Sequence, residues 1–221
     1  FMVSYLDCIY RVPEIINHIL DNREETFKVL KEILIKRKVN EIFLVGSGTS
    51  NTSSVTACRY VEKASGLATS TVLPNEFLSK YSYNEKALYV FVSQSGTSTL
   101  TQKALLKVKE KGCLTVSISE KADTPLSKIA DVFVDMGCGY EEYGMRTIGY
   151  CATILTEMVM AMEIGRLYGN LSLEDYNAEL NDARQVPSSH QEICDKTLKW
   201  FDQNKEDLMS VDSYALYGSG S

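Results

Sequence analysis

Short apolar runs alternate with amphipathic stretches through the middle of the chain. EIFLVG (41–46) is a compact apolar run closed by glycine, and LATSTVL (67–73), ALYVFVS (87–93), CLTVSIS (113–119) and DVFVDM (131–136) follow it. Their length and composition predict five strands. Between them the apolar spacing becomes helical, over 51–65, 75–81, 98–111 and 124–129. Strands that alternate with helices form parallel βαβ units. The expected fold is therefore α/β: a doubly wound, five-stranded parallel sheet flanked by helices on both faces.

The flanking segments read as helices. Ile15, Ile16, Ile19, Phe27, Leu30, Ile33 and Leu34 give one apolar face to residues 13–38, with a break expected at Asp21-Asn22. Residues 146–168 form a long apolar helix that ends near Gly169-Asn170. Glu157 and Glu163 interrupt it, so it reads as a buried core helix and not a membrane span. Two more helices are expected over 172–185 and 188–209, N-capped by Ser172 and by Ser188 or Ser189. A last strand is expected at 213–217.

That final strand repeats an earlier one. Gly218-Ser219-Gly220 overlays Gly46-Ser47-Gly48, with Leu216 on Leu44 and Val211 on Val39, and an amphipathic helix precedes both copies. The repeat predicts that a second α/β unit opens there. The expected division is N-terminal helices over 1–38, a first α/β domain over 39–170, connecting helices over 171–210, and the first strand and loop of a second domain over 211–221.

Composition narrows the function classes. A net charge of -6 speaks against a nucleic-acid partner. The six cysteines, Cys8, Cys58, Cys113, Cys138, Cys151 and Cys194, show no CxxC spacing and read as reduced thiols of a cytoplasmic protein. His18 and His190 sit in no metal-ligand pattern, so no metal is expected. Asp7, Arg11 and Glu14 interrupt any apolar core near the N-terminus, and no signal peptide or membrane partner is expected.

Two strand ends carry the chemistry. VGSGTSNTSS (45–54) and VSQSGTSTLT (92–101) each follow an apolar strand, open a helix, and combine glycine and hydroxyl residues without charge. A helix start offers unpaired N–H groups and a positive dipole end, and in a parallel sheet ligands sit beyond the strand ends. A phosphate monoester suits such loops. N-capping by Asn51 or Ser98 would explain either loop alone, but two such loops at neighbouring strand ends favour an anion site. The dinucleotide fingerprint fails because Asn51 replaces its third glycine. A Walker lysine is absent, and Gln94-Ser95-Gly96 lacks the first glycine of a nucleophile elbow. No cofactor is expected. Thr147, in GYEEYGMRTIGY (139–150), is a further candidate hydroxyl. Glu142 and Glu76 are weak acid/base candidates, and Glu141 reads as a favourable charge at a helix start.

GSGTS (46–50), NEF (75–77), SQSGTSTLT (93–101) and EEYGMRT (141–147) resemble, in order and spacing, the sugar isomerase (SIS) domain family. The likeness is to the isomerase half of glucosamine-6-phosphate synthase and to fructosamine-6-phosphate deglycase and ketose/aldose isomerase relatives. It implies a SIS fold and a small-molecule sugar phosphate as ligand. It places the substrate phosphate on Ser93, Gln94, Ser95, Ser98, Gly48, Thr49, Ser50 and Thr147. It also implies a homodimer, and a catalytic base that lies beyond Ser221 in two-domain relatives. Thr97 and Gly149 stand where the synthase has glutamate and lysine, and Arg146 replaces a small residue. The resemblance therefore leans to the isomerase or deglycase/deaminase branch, acting on ketose or amino-sugar 6-phosphates through an enediol or enolamine. The alternative it leaves is a non-catalytic phosphosugar sensor.

Overall fold

The computed structural model describes residues 3–79, 82–215 and 217–218. Five strands form one parallel sheet: β1 (Glu41–Gly46), β2 (Ala68–Val72), β3 (Ala87–Val92), β4 (Leu114–Ser119) and β5 (Val132–Asp135), in the order β2-β1-β3-β4-β5. The doubly wound five-stranded fold is thus as the hydrophobic pattern predicts. β3 and β4 are buried at every residue, as strands covered on both faces must be.

The period of two in each strand divides the interior into two cores. Ile42, Leu44, Leu88, Val90 and Val92 point to one face. There they meet α1 (Tyr5–Thr26), α2 (Lys28–Lys36), α3 (Thr49–Ser65) and α7 (Ile148–Tyr168). Phe43, Val45, Tyr89 and Phe91 point to the other, against α4 (Pro74–Leu78), α5 (Thr99–Lys109) and α6 (Pro125–Ile129). α8 (Leu173–Met209) lies outside the first core and touches it through Leu180.

α7 is long and apolar enough to cross a membrane, alone among the described residues, but 72% of its window is buried inside the fold. Its largely apolar surface is explained by contact with α3, α1, α2 and α8. Glu163, near its end, accepts from Lys31 Nζ (2.6 Å) and from the Tyr176 hydroxyl, tying α2 and α8 to α7.

Two expected helix boundaries are corrected. The N-terminal break falls at Phe27, not at Asp21-Asn22. Phe27 is buried and leaves helical geometry at φ -99°, ψ 3°, serving as C-cap of one helix and N-cap of the next. The segments 172–185 and 188–209 form one helix of 37 residues with Pro187 inside it. Ser172 caps it, accepting from Asp175 N. Ser188 and Ser189 cap nothing: their hydroxyls donate backwards to Gln185 O and Val186 O. Of the expected strand at 213–217, residues 213–215 and 217 pair with no strand. Leu216, 219–221 and the end of the expected 75–81 helix (80–81) lie outside the described residues.

The second core rests on an aromatic cluster. The Phe77 ring lies 5.3–6.3 Å from those of Tyr83, Tyr89, Phe91 and Phe43. Phe77→Ala is expected to destabilise the domain by about 3–5 kcal/mol in urea unfolding, as for other buried aromatic truncations. A loss below about 1 kcal/mol would show that the cluster does not hold this core.

Candidate functional site

β1 and β3 are neighbours in register, with Gly46 opposite Val92. The loops that follow them therefore leave the sheet side by side, and each opens a helix. Gly48 N-caps α3 at φ 58°, ψ -128°, a conformation that glycine adopts without a steric penalty. Thr49 is exposed and Ser50 half-buried. Asn51 lies inside the helix and bonds its N–H to Gly48 O (3.0 Å), so it is not the cap.

Ser98 stands at the N-cap of α5 but caps no N–H. Its hydroxyl accepts from Thr101 Oγ1 (2.9 Å) instead. The capping explanation thus fails for both loops. α3 and α5 start without a side-chain cap, their positive ends facing the same space beyond the sheet. Ser95 is half-buried, 2.8 Å from Thr97 Oγ1. Ser93 and Gln94 are buried and anchor the loop to β4, through Ser93 N to Ile118 O (3.1 Å) and Glu120 N to Gln94 O (2.9 Å).

The third helix start is plugged. Glu141 is 2% exposed, and its carboxylate accepts from the backbone N–H groups of Thr147 (2.7 Å), Ile148 (3.0 Å) and Gly149 (3.1 Å). Its Oε2 also accepts from Gln94 Nε2 (3.2 Å). One carboxylate thus neutralises the N-terminus of α7 and fixes the glutamine of the loop after β3. Gly149 makes this possible: a Cβ there would sit 2.0 Å from Gln94 Oε1. The expected favourable charge at the helix start is therefore a specific four-bond clamp. The cue in the sequence is an acidic residue several positions ahead of a helix.

The weaker acid/base candidates sit in ordinary surroundings. Glu142 is exposed and ion-paired with Arg11 (2.6 Å). Its own backbone N–H and Arg11 hold its carboxyl below the usual range. Glu76 is exposed, while its neighbour Phe77 packs the core, so NEF serves structure through its phenylalanine. The Thr147 hydroxyl is buried without a partner among the described residues. The residue lines an apolar groove between α1, α7 and α8, and no hydrogen bond joins it to the loop after β3. His190 reaches Ile9 O (2.9 Å), and all six cysteines are free.

Pattern reading missed Glu157. It is 0% exposed on α7, with Oε1 2.6 Å from Ser54 Oγ of α3 and Oε2 unpartnered. Burial pushes its carboxyl up to about 8.

Comparison with known proteins agrees with this architecture. The family model of the SIS domain matches residues 34–162. The isomerizing glutamine–fructose-6-phosphate aminotransferase of Bartonella quintana (strain Toulouse) is 26% identical over 225 residues, covering 96% of this chain and 36% of the relative. That of Shouchella clausii (strain KSM-K16) is 28% identical over 183 residues, covering 80% and 29%. The chain thus spans roughly a third of the length of these curated relatives. Among solved structures, a candidate phosphosugar isomerase from Clostridium difficile 630 superposes with a TM-score of 0.87 at 27% identity, over 93% of this chain and 58% of that one. The C-terminal domain of glucosamine-fructose-6-phosphate aminotransferase from Francisella tularensis shares the fold, with a TM-score of 0.75 at 22% identity over 83% of this chain and 53% of that one.

The Glu141 clamp makes a direct prediction. Glu141→Ala leaves buried amides without an acceptor and should lower stability by about 3 kcal/mol, the upper range for bonds to a charged group. Glu141→Gln keeps an acceptor oxygen and should lose less. Equal unfolding midpoints for wild type and Glu141→Ala would refute the clamp.

Proposed function

The chain belongs to the SIS domain family, and on that premise we propose that it binds the phosphate group of a sugar 6-phosphate at the Gly48–Ser50 and Ser93–Ser98 loops. The observation that carries the proposal is the contrast among helix starts. α3 and α5 open side by side without side-chain caps, whereas the third, α7, is filled by Glu141. A dianionic phosphate supplies the charge that two open helix starts favour. Gly48, Thr49 and Ser50 line one side of it, and Ser95 and Ser98 supply hydroxyls on the other. Ser93 and Gln94 hold the second loop in shape.

The reaction that fits is isomerisation, or release of an amine, at C1 or C2 of a ketose or amino-sugar 6-phosphate, through an enediol or enolamine. Fixing the phosphate holds those carbons at a set distance from a base, which converts proton transfer into a positioned step. Its own backbone N–H and Arg11 lower the proton affinity of Glu142, Glu76 is exposed and Glu141 is fully bonded, so none of them is poised as that base. The proposal gives this chain the phosphate-holding role and assigns proton transfer to a second α/β unit, as the family resemblance implies. A homodimer is part of the same reading, supported by the exposed Val186, Ile193, Trp200 and Phe201 on α8. The poor placement of those carboxylates also fits a non-catalytic phosphosugar sensor, and a turnover assay with fructosamine 6-phosphates separates the two.

Combined Ser95→Ala and Ser98→Ala substitutions should weaken fructose 6-phosphate binding by roughly a hundredfold or more, since each charge-assisted bond contributes about 1.5–3 kcal/mol. Isothermal titration calorimetry would read the change, with circular dichroism as the check on folding. Unchanged affinity in a folded variant would sink the site assignment.

A further inference from the structure

The buried carboxyl of Glu157 lies at the end of a hydrogen-bond chain that reaches the candidate phosphate loop. Ser54 Oγ is 2.6 Å from Glu157 Oε1 and 2.9 Å from Ser50 O. Both side chains are 0% exposed. A serine hydroxyl carries one proton. If Glu157 were a carboxylate, both neighbours of Ser54 Oγ would be acceptors, and one contact would have no proton in it. A neutral acid satisfies the chain. The Glu157 O–H donates to Ser54 Oγ, Ser54 donates to Ser50 O, and the unpartnered Oε2 is the carbonyl oxygen. An apolar interior favours that neutral form.

Glu157 is faced by few other titratable groups. From α3 the Cys58 thiol faces it, itself pushed up by burial, with Arg59 and Glu62 near that thiol. Several charged groups on the other elements packed against α7 are engaged elsewhere. Lys31 of α2 pairs with Glu163, and Arg23 of α1 donates to Tyr176 and Leu20 O. Arg11 of α1 pairs with Glu142, and Glu179 of α8 accepts from Tyr60 and Lys63. Among the described residues Glu157 forms no ion pair, and its side-chain partner is Ser54.

We propose that Glu157 is a positioning residue whose proton keeps Ser54 on the Ser50 carbonyl, so that losing this proton loosens the start of α3 and weakens phosphate binding at the Gly48–Ser50 loop. The proposal rests on the phosphate reading of that loop. It assigns the α3–α7 interface a role that none of the loop residues plays. Substrate phosphate is already dianionic above about pH 7, so an alkaline loss of affinity would not come from the ligand.

The test compares wild type with Glu157→Gln, whose amide can donate to Ser54 but does not titrate. With a carboxyl near 8, binding that needs the proton should weaken about tenfold between pH 7 and pH 9 in wild type, because apparent affinity follows the competent fraction. Glu157→Gln should bind fructose 6-phosphate at pH 7 as wild type does and lose the alkaline fall. Ser54→Ala should bind more weakly at pH 7 and show the same flat profile. It stands in if Glu157→Gln fails to fold.

A ligand-free measurement reads the titration separately. The folded carboxyl is raised above its unfolded value, so the folded state binds the extra proton between the two. The contribution of Glu157 to wild-type stability should therefore fall as pH rises from about 4.5 to about 8 and level off above. The gap in melting temperature between Glu157→Gln and wild type should widen over that window. Parallel binding profiles for wild type and both variants, or a constant melting gap, would overturn the proposal. Absence of wild-type binding at every pH would instead overturn the phosphate reading and the linkage built on it, while the melting gap still reports whether Glu157 titrates.

Discussion

The site depends on one buried carboxylate. Glu141 takes hydrogen bonds from three consecutive amides at the start of α7 and a fourth from Gln94. Without it, the most apolar helix of the fold would end in unpaired buried donors, and the loop after β3 would lose its tie to α7. Because α7 also packs along α3, the same clamp fixes the two loops relative to each other. Binding geometry at the sheet's edge is thus set by a contact that never touches the ligand space.

The sheet supplies the rest of the arrangement. Parallel pairing of β1 with β3 forces both loops to emerge at one edge, and alternation along those strands sends Leu44 and Val90 to one core and Phe43 and Phe91 to the other. α3 grows from the first core and α5 from the second. Their N-termini approach the shared space from opposite faces of the sheet. Two dipole ends converging on one point is a property of the topology, and the glycine and hydroxyl residues adapt it to an anion.

Much of this was legible in the chain. The five strands, their parallel order and the two glycine-hydroxyl loops follow from short apolar runs and from residue types with a single local use. What escaped was set by contacts distant in sequence. The break falls at the buried Phe27, not at the polar Asp21-Asn22 pair. α8 runs through Pro187, and the serines after it bond backwards instead of capping a new helix, so a strong local stop signal was outweighed. Glu141 looked like an ordinary acidic residue near a helix, since its partner Gln94 lies 47 positions away. Glu157 reads as a flaw in an apolar helix until Ser54 is found opposite it, and Thr147 shares only the segment, not a bond, with the loop it was grouped with.

On the proposed reading, an acidic chain hosts an anion without a lysine at the site. Glu141 is bound to amides and Gln94, and Glu142 to Arg11. Their repulsion of a phosphate is therefore offset locally, over distances shorter than a Debye length. What remains is the field of two helix ends and neutral hydroxyl donors, which binds by direction more than by net charge. Such a site holds a phosphate in one orientation.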